Sequence, residues 1–226
     1  GPAEVQSDAV VEDVAAVARI LALADGSGRD LEDEDVVAVL DGRLAYLEAI
    51  GKAQKEIVLA NAYFLPGRRF RQVLLAAAAR GVQVTILLQG RIEYALQHYA
   101  TQSLYDMLLG AGVRIFEYHH SYLHAKVGVI DCCWATVGSS NIDPFSLLLA
   151  REANVFVRDA RFADALRLEL RAMIEGGARP VDPKRWLGRS IVSKAMNWIA
   201  YGIVRAGMGL LGYGGNEWWR GRPRKR

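Results

Sequence analysis

Apolar and polar positions change period along this chain, and the changes predict its elements. Residues 10–24 and 36–55 repeat apolar side chains at helical spacing on either side of a Gly-rich break at 25–29. Residues 57–62 form a short apolar run closed by Pro66 and Gly67, the pattern of a buried strand followed by a loop. Helical spacing returns at 69–80 and 100–109, each followed by an apolar run, at 82–88 and 113–118. Two more strand-like runs, 124–131 and 134–137, flank a turn at Cys132 and Cys133, and 153–157 reads as a strand before a helix at 161–175. Strands alternating with helices predict the α/β class, here an α-β-α sandwich around a mixed β-sheet. Such sheets take ligands at strand ends, so Tyr63, Phe64 and Pro66 in the loop after the first buried strand are candidate walls of a site.

The last helical pattern has a different character. Across 189–211, Ser190, Lys194, Asn197, Tyr201 and Arg205 share one face, while Ile191, Val192, Ala195, Trp198, Ile199 and Ile203 lie mainly off it. Asn197 and Arg205 interrupt any clean spanning stretch, so the pattern predicts an amphipathic helix lying in a membrane interface rather than crossing it. Trp218, Trp219 and the closing RGRPRKR add interfacial aromatics and attraction for anionic lipid or nucleic acid.

Composition bounds the rest. The chain has 226 residues, 52% of them hydrophobic and 23% charged, enough for a sizeable core and against disorder. The net charge of +3 conceals an asymmetry: residues 183–226 hold ten Lys or Arg against Glu217 alone, which leaves −6 on residues 1–182. The start is acidic and lacks the apolar core of a secretory signal. Adjacent Cys132 and Cys133 are poorly placed for a structural disulfide, which favours a reducing compartment. Three parts are expected: a helical junction segment at 1–42, a catalytic domain at 43–180, and an amphipathic helix with basic tail at 181–226.

The chemistry concentrates in HAKVGVIDCCWATVGSSN, residues 124–141. On a strand, His124 and Lys126 fall on one face, so an imidazole nucleophile and an ammonium can converge on one phosphate. Asp131 stands at an odd offset and reads as an anchor of the strand end. Ser139 and Asn141, again two apart, offer a hydroxyl and a carboxamide to phosphate oxygens, and Gly138 lets backbone approach closely.

The H-x-K-x4-D-x6-G-S-x-N array resembles the signature of the phospholipase D superfamily. The flanks at 60–70, 78–90 and 134–155 resemble the second half of bacterial cardiolipin synthases of that type. The resemblance implies phosphatidyl transfer through a phosphohistidine. His124 would be the nucleophile or acid/base partner, Lys126 and Asn141 would bind phosphate with help from Ser139, Glu152 would orient His124, and Asp131 would complete the catalytic set by holding the scaffold. It implies no cofactor and no metal, and His98, His119 and His120 read as surface or packing residues. Family members use two such motifs and this chain has one, so a first-half domain or a homodimer partner is expected to supply the second histidine. The expected partners are anionic phospholipids and a membrane surface, at the cytoplasmic face of a bacterial inner membrane, with nucleic acid less favoured. Two departures stand out: residues 25–42 lack an Arg-rich, His-bearing junction, and Cys132 and Cys133 replace a Gly-containing turn. The alternatives are a single-motif nuclease dimer and a catalytically silent membrane-binding half.

Overall fold

A computed structural model describes residues 36–39, 42–143 and 154–208. The expected helix at 10–24, Glu152, and the Trp218, Trp219 and basic terminal residues lie outside the described residues. Eight strands form one mixed sheet among the described residues, in the order β1-β7-β6-β5-β2-β3-β4-β8. They are β1 (Val36–Val39), β2 (Glu56–Asn61), β3 (Gln83–Gln89), β4 (Arg114–Tyr118), β5 (Lys126–Ile130), β6 (Trp134–Gly138), β7 (Asn154–Val157) and β8 (Ala178–Pro180). The helices are α1 (Gly42–Lys52), α2 (Arg68–Ala79), α3 (Ala95–Gln102), α4 (Tyr105–Gly110), α5 (Ala160–Gly177), α6 (Pro183–Leu187) and α7 (Ile191–Met208).

Strands β2, β3 and β4 run parallel, whereas β5 is antiparallel to β2 and begins the antiparallel half of the sheet. Strand periodicity divides the core in two. Ile57, Leu59, Ile86, Leu88 and Ile130 point to one face, where they meet Ile50, Leu74, Leu108, Ala200 and Val204 from α1, α2, α4 and α7. Val58, Ala60, Leu87, Val127 and Val129 point to the other, covered by Phe162, Leu166 and Leu170 of α5. This is the α-β-α sandwich that the alternation predicted.

The two parallel crossovers use one stop signal. After α2, Gly81 at φ 90° lets its N–H reach Ala78 O, and Val82 N reaches Ala77 O at 3.1 Å. After α4, Gly112 at φ 83° repeats the pattern, with Val113 N on Leu108 O at 3.0 Å. Both are Schellman ends, where glycine takes the left-handed position and the strand begins just after the following valine.

Three expectations change. Residues 36–55 are not one helix: Val36–Val39 pair with β7 and only Gly42–Lys52 is helical. β-Branched valines lose rotamers in a helix, and the open edge of β7 offers them a ladder. The helix expected at 100–109 is two helices with Ser103 between them, its hydroxyl donating to Ala100 O at 2.7 Å and competing with the backbone pattern. Strand β8 had no periodic signal, being three residues ending in proline, which a sheet tolerates at its edge.

Helix α7 keeps the two stripes read from the sequence. Its polar stripe faces inward: Asn197 is buried, Lys194 Nζ sits 3.0 Å from Asp106 Oδ2, and Arg71 donates to Tyr201 Oη at 2.8 Å. Its apolar stripe faces outward, with Ile191 at 85%, Val192 at 73% and Met196 at 61% exposure and Trp198, Ile199 and Ile203 more than half exposed. No helix among the described residues is long and apolar enough to cross a membrane.

Candidate active site

The antiparallel pairing of β2 with β5 sets Asn61 opposite Lys126, so the end of β2 and the start of β5 share one edge of the sheet. The segment after β6 arrives at the same edge, because Val137 pairs with Val127. Backbone bonds then stitch the loops together: Ala62 N donates to Ala125 O at 3.1 Å, and Leu65 N to Ile142 O at 2.9 Å. Sequence-distant segments 61–65, 124–126 and 138–142 thereby form one wall.

His124 is exposed at this edge, while Lys126, two residues on, is only 5% exposed. Lys126 Nζ lies 2.8 Å from His124 Nε2 and 3.2 Å from Nδ1. The contact sets the Lys126 ammonium and the His124 imidazole side by side, where both can reach one phosphate. The buried position places the positive charge in a low-dielectric wall, where its attraction for an anion is least screened.

Asn61 was not among the residues singled out by the motif. It is fully buried, its Oδ1 accepts from Ile142 N at 3.1 Å, and its Nδ2 has no hydrogen-bond partner among the described residues. Asn141 shows the same feature: its Oδ1 is buried without a partner among the described residues. A half-turn of that amide presents its NH2 instead. Buried unsatisfied amides cost roughly 1–3 kcal/mol each, and a ligand phosphate at this edge would accept from them. An asparagine inside the apolar run IVLANAYF was the available signal. Ser139 is part-exposed on the same segment, and Ser140 Oγ accepts from Asn154 Nδ2 at 2.9 Å, fixing the loop to β7.

The wall residues separate. Phe64 is fully buried, with its ring 6.2 Å from that of Phe70, and Pro66 is buried as well. Both support the loop from within. Tyr63 alone of the three is part-exposed; its hydroxyl donates to Glu93 Oε2 at 3.0 Å, and burial together with that carboxylate pushes the phenol well above its ordinary range.

Asp131 does not reach this edge. It lies past the opposite end of β5, five residues from Lys126, or about 16 Å of extended chain. Its carboxylate accepts from Gln54 N and Lys55 N at 2.7 Å and from Glu56 N at 3.0 Å. It is an anchor and not a group at the reacting centre, which corrects its place in the catalytic set and agrees with the odd offset. Asp131 and Cys132 both take positive φ, 51° and 56°, in the three-residue hairpin that a glycine would relax. Next to them, Glu56 accepts from Cys132 Sγ at 3.0 Å and pairs with Arg171 at 2.9 Å and Arg167 at 3.5 Å. Burial, then the Glu56 carboxylate, pushes the Cys132 thiol up, so it stays a protonated donor.

Residues 46–174 match the family of cardiolipin synthase, PLD-like domains. The chain belongs to that family. Cardiolipin synthase B of Shigella flexneri is 39% identical over 168 residues, which cover 74% of this chain and 41% of that protein. The cardiolipin synthase of Staphylococcus aureus is 35% identical over 141 residues, 62% of this chain and 27% of that protein. The chain thus spans less than half the length of these relatives. In solved structures, the fold matches Nuc, a phospholipase D family member from Salmonella typhimurium, with TM-score 0.55 at 22% identity, covering 65% of this chain and 95% of that one. It also matches the phosphatidylserine synthase of Haemophilus influenzae, with TM-score 0.60 at 12% identity over 79% of this chain and 46% of that one. These two likenesses establish the α/β phospholipase D-like fold of this member.

Proposed function

We propose that this domain transfers a phosphatidyl group between phospholipids, as in cardiolipin synthesis from phosphatidylglycerol or a related donor. The observation that carries the reading is the contact of exposed His124 with buried Lys126 at an edge where Asn61 and Asn141 keep amide atoms that no described residue satisfies. A His124 ring nitrogen attacks the donor phosphorus and forms an N–P bond as the P–O bond to the leaving alcohol breaks. Lys126, Asn61, Asn141 and Ser139 hold the phosphoryl oxygens, where charge develops. The leaving alkoxide takes a proton from a second acid, which then deprotonates the acceptor hydroxyl; that hydroxyl attacks phosphorus and frees His124. The second acid is a histidine of a paired domain, either a first half with its own motif or another copy of this chain. Glu152, outside the described residues, is the proposed orienting carboxylate. The proposed organisation keeps a junction segment at 1–42, this domain at 43–180 and a membrane-associating part at 181–226.

The membrane part of the proposal draws on α7. A helix held down by its polar stripe and presenting Ile191, Val192, Met196 and Ile199 outward suits a bilayer interface. Lys184 and Arg185 lie exposed beside it, and the chain ends in RGRPRKR, which complement anionic lipid at the cytoplasmic face of a bacterial membrane.

The test incubates the purified chain with phosphatidylglycerol vesicles, alone and with a first-half domain, and follows lipid products and phosphorylated protein by mass. Product or phosphohistidine in the wild type and neither in His124→Ala is expected. Equal turnover in both would overturn the assignment, and salt-dependent DNA binding without vesicle binding would favour a nuclease. Ile199→Glu is expected to weaken vesicle binding while leaving the thermal midpoint in place.

A further inference from the structure

At the end of β5 away from His124 lies a groove of about 520 Å³ that takes no part in the proposed transfer. Helix α1 contributes Ala45, Ala49 and Lys52 to it, and the β5–β6 hairpin contributes Ile130, Cys133 and Trp134. Ile130 and Trp134 are buried and the alanines half-buried, while Lys52 and Cys133 are exposed, so an apolar floor carries a polar rim. The alanines end at Cβ and leave room for another backbone to come close. Leu44, one turn before the groove-lining Glu48, adds a large apolar side chain at 62% exposure.

The described chain begins at this groove. Val36, the first residue of β1, pairs with Val157, and the next residue after Val157 is Arg158, which is exposed and also lines the groove. The residues before Val36 therefore reach the sheet past the groove's edge. Residues 10–24 repeat Val10, Val14, Val17 and Leu21 on one helical face, an apolar stripe with Glu12, Asp13 and Arg19 off it. Residues 1–35 hold ten Asp or Glu against Arg19 and Arg29, a balance of −8, and five of those acids, at 30–35, run directly into β1 next to Arg158.

Reach and tethering decide the occupant. Residues 25–35 span up to about 36 Å when extended, more than twice the length of α1 at about 16 Å, so the 10–24 segment can fold back along that helix. A tethered segment competes at an effective concentration on the order of millimolar, which favours it over a free ligand or a second copy. We propose that residues 10–24 dock as a helix in this groove, with the Val10, Val14, Val17 and Leu21 stripe against Trp134, Ile130 and the alanines of α1, and the acidic run at 30–35 beside Arg158. Both sequence departures from the family, the acidic junction and the Cys132–Cys133 turn, then meet at one surface.

The test uses the full chain with Cys132→Ser, so that a maleimide has one thiol to modify, Cys133 in the groove. Val14→Asn combined with Leu21→Asn is expected to raise the modification rate about tenfold or more, as a docked segment opens. Ala16→Asn, on the polar face with Glu12 and Asp13, is expected to leave the rate within about twofold. From the other side, Ala49→Gln fills the groove and is expected to speed tryptic cleavage at Arg19 about fivefold or more. Equal Cys133 rates in the parent and the double variant overturn the docking, as does an equal rise with Ala16→Asn. Protection of Cys133 that falls on dilution gives the groove to a second copy and overturns the intramolecular placement.

Discussion

At one end of β2 and β5, Asp131 accepts three backbone N–H groups and Glu56 is tied to Arg171, Arg167 and Cys132. At the other end, Asn61 and Asn141 hold buried amide atoms that no described residue satisfies, next to a buried ammonium. Both ends bury polar groups on the same two strands. The first end uses its polar groups within the protein and so contributes stability; the second leaves them unsatisfied by any described residue, at a cost of about 1–3 kcal/mol each that a bound phosphate would offset.

Four perturbations would break or sharpen that contrast. Lys126→Met has the largest expected effect: transfer should fall about 1,000-fold or more, since a preorganised charge is lost, yet the thermal midpoint should hold or rise because a buried ammonium is gone. A large drop in midpoint would move Lys126 to the scaffold side. Asp131→Ala should do the reverse, losing about 3 kcal/mol of stability in urea unfolding while the folded protein still binds phosphate. Loss of phosphate binding ahead of unfolding would put Asp131 back at the reacting centre. Asn61→Asp keeps the acceptor for Ile142 N and removes the donor, so phosphate affinity should drop about tenfold, read by calorimetry. Unchanged affinity would leave the orphaned amide unexplained.

The smallest effect is a pH dependence. Burial lowers the His98 pKa, outweighing the nearby Glu117 carboxylate, with His119 adding to the lowering. The unfolded chain therefore binds a proton at His98 more readily than the folded one, so its contribution to stability is present above the ordinary histidine range and is lost as pH falls through it. The thermal midpoint should decline between about pH 7 and 5, and less steeply in His98→Gln. Equal slopes would remove His98 from the account.

How much was legible follows from range. The period of two along 124–126 placed His124 and Lys126 together, and the structure sets them in contact. The odd offset of Asp131 already separated it from them. The Asn61 amide was not legible, because its lack of a partner depends on the packing of segments 81 residues apart, where Ile142 takes only the oxygen. Nor was the orientation of α7: its two stripes were visible, but which one faces outward was set by Asp106 and by Arg71, the latter 130 residues from Tyr201.

The sequence by itself determined the strands and helices of 57–88 and the motif spacing, because these depend on steric and period effects within a few residues. Only the tertiary structure decided that Val36–Val39 would be a strand, that Phe64 would face inward, and that α7 would turn its apolar side out. Each of those outcomes is a choice between partners brought together by the sheet, and hydrophobic and polar preferences alone do not name the partner.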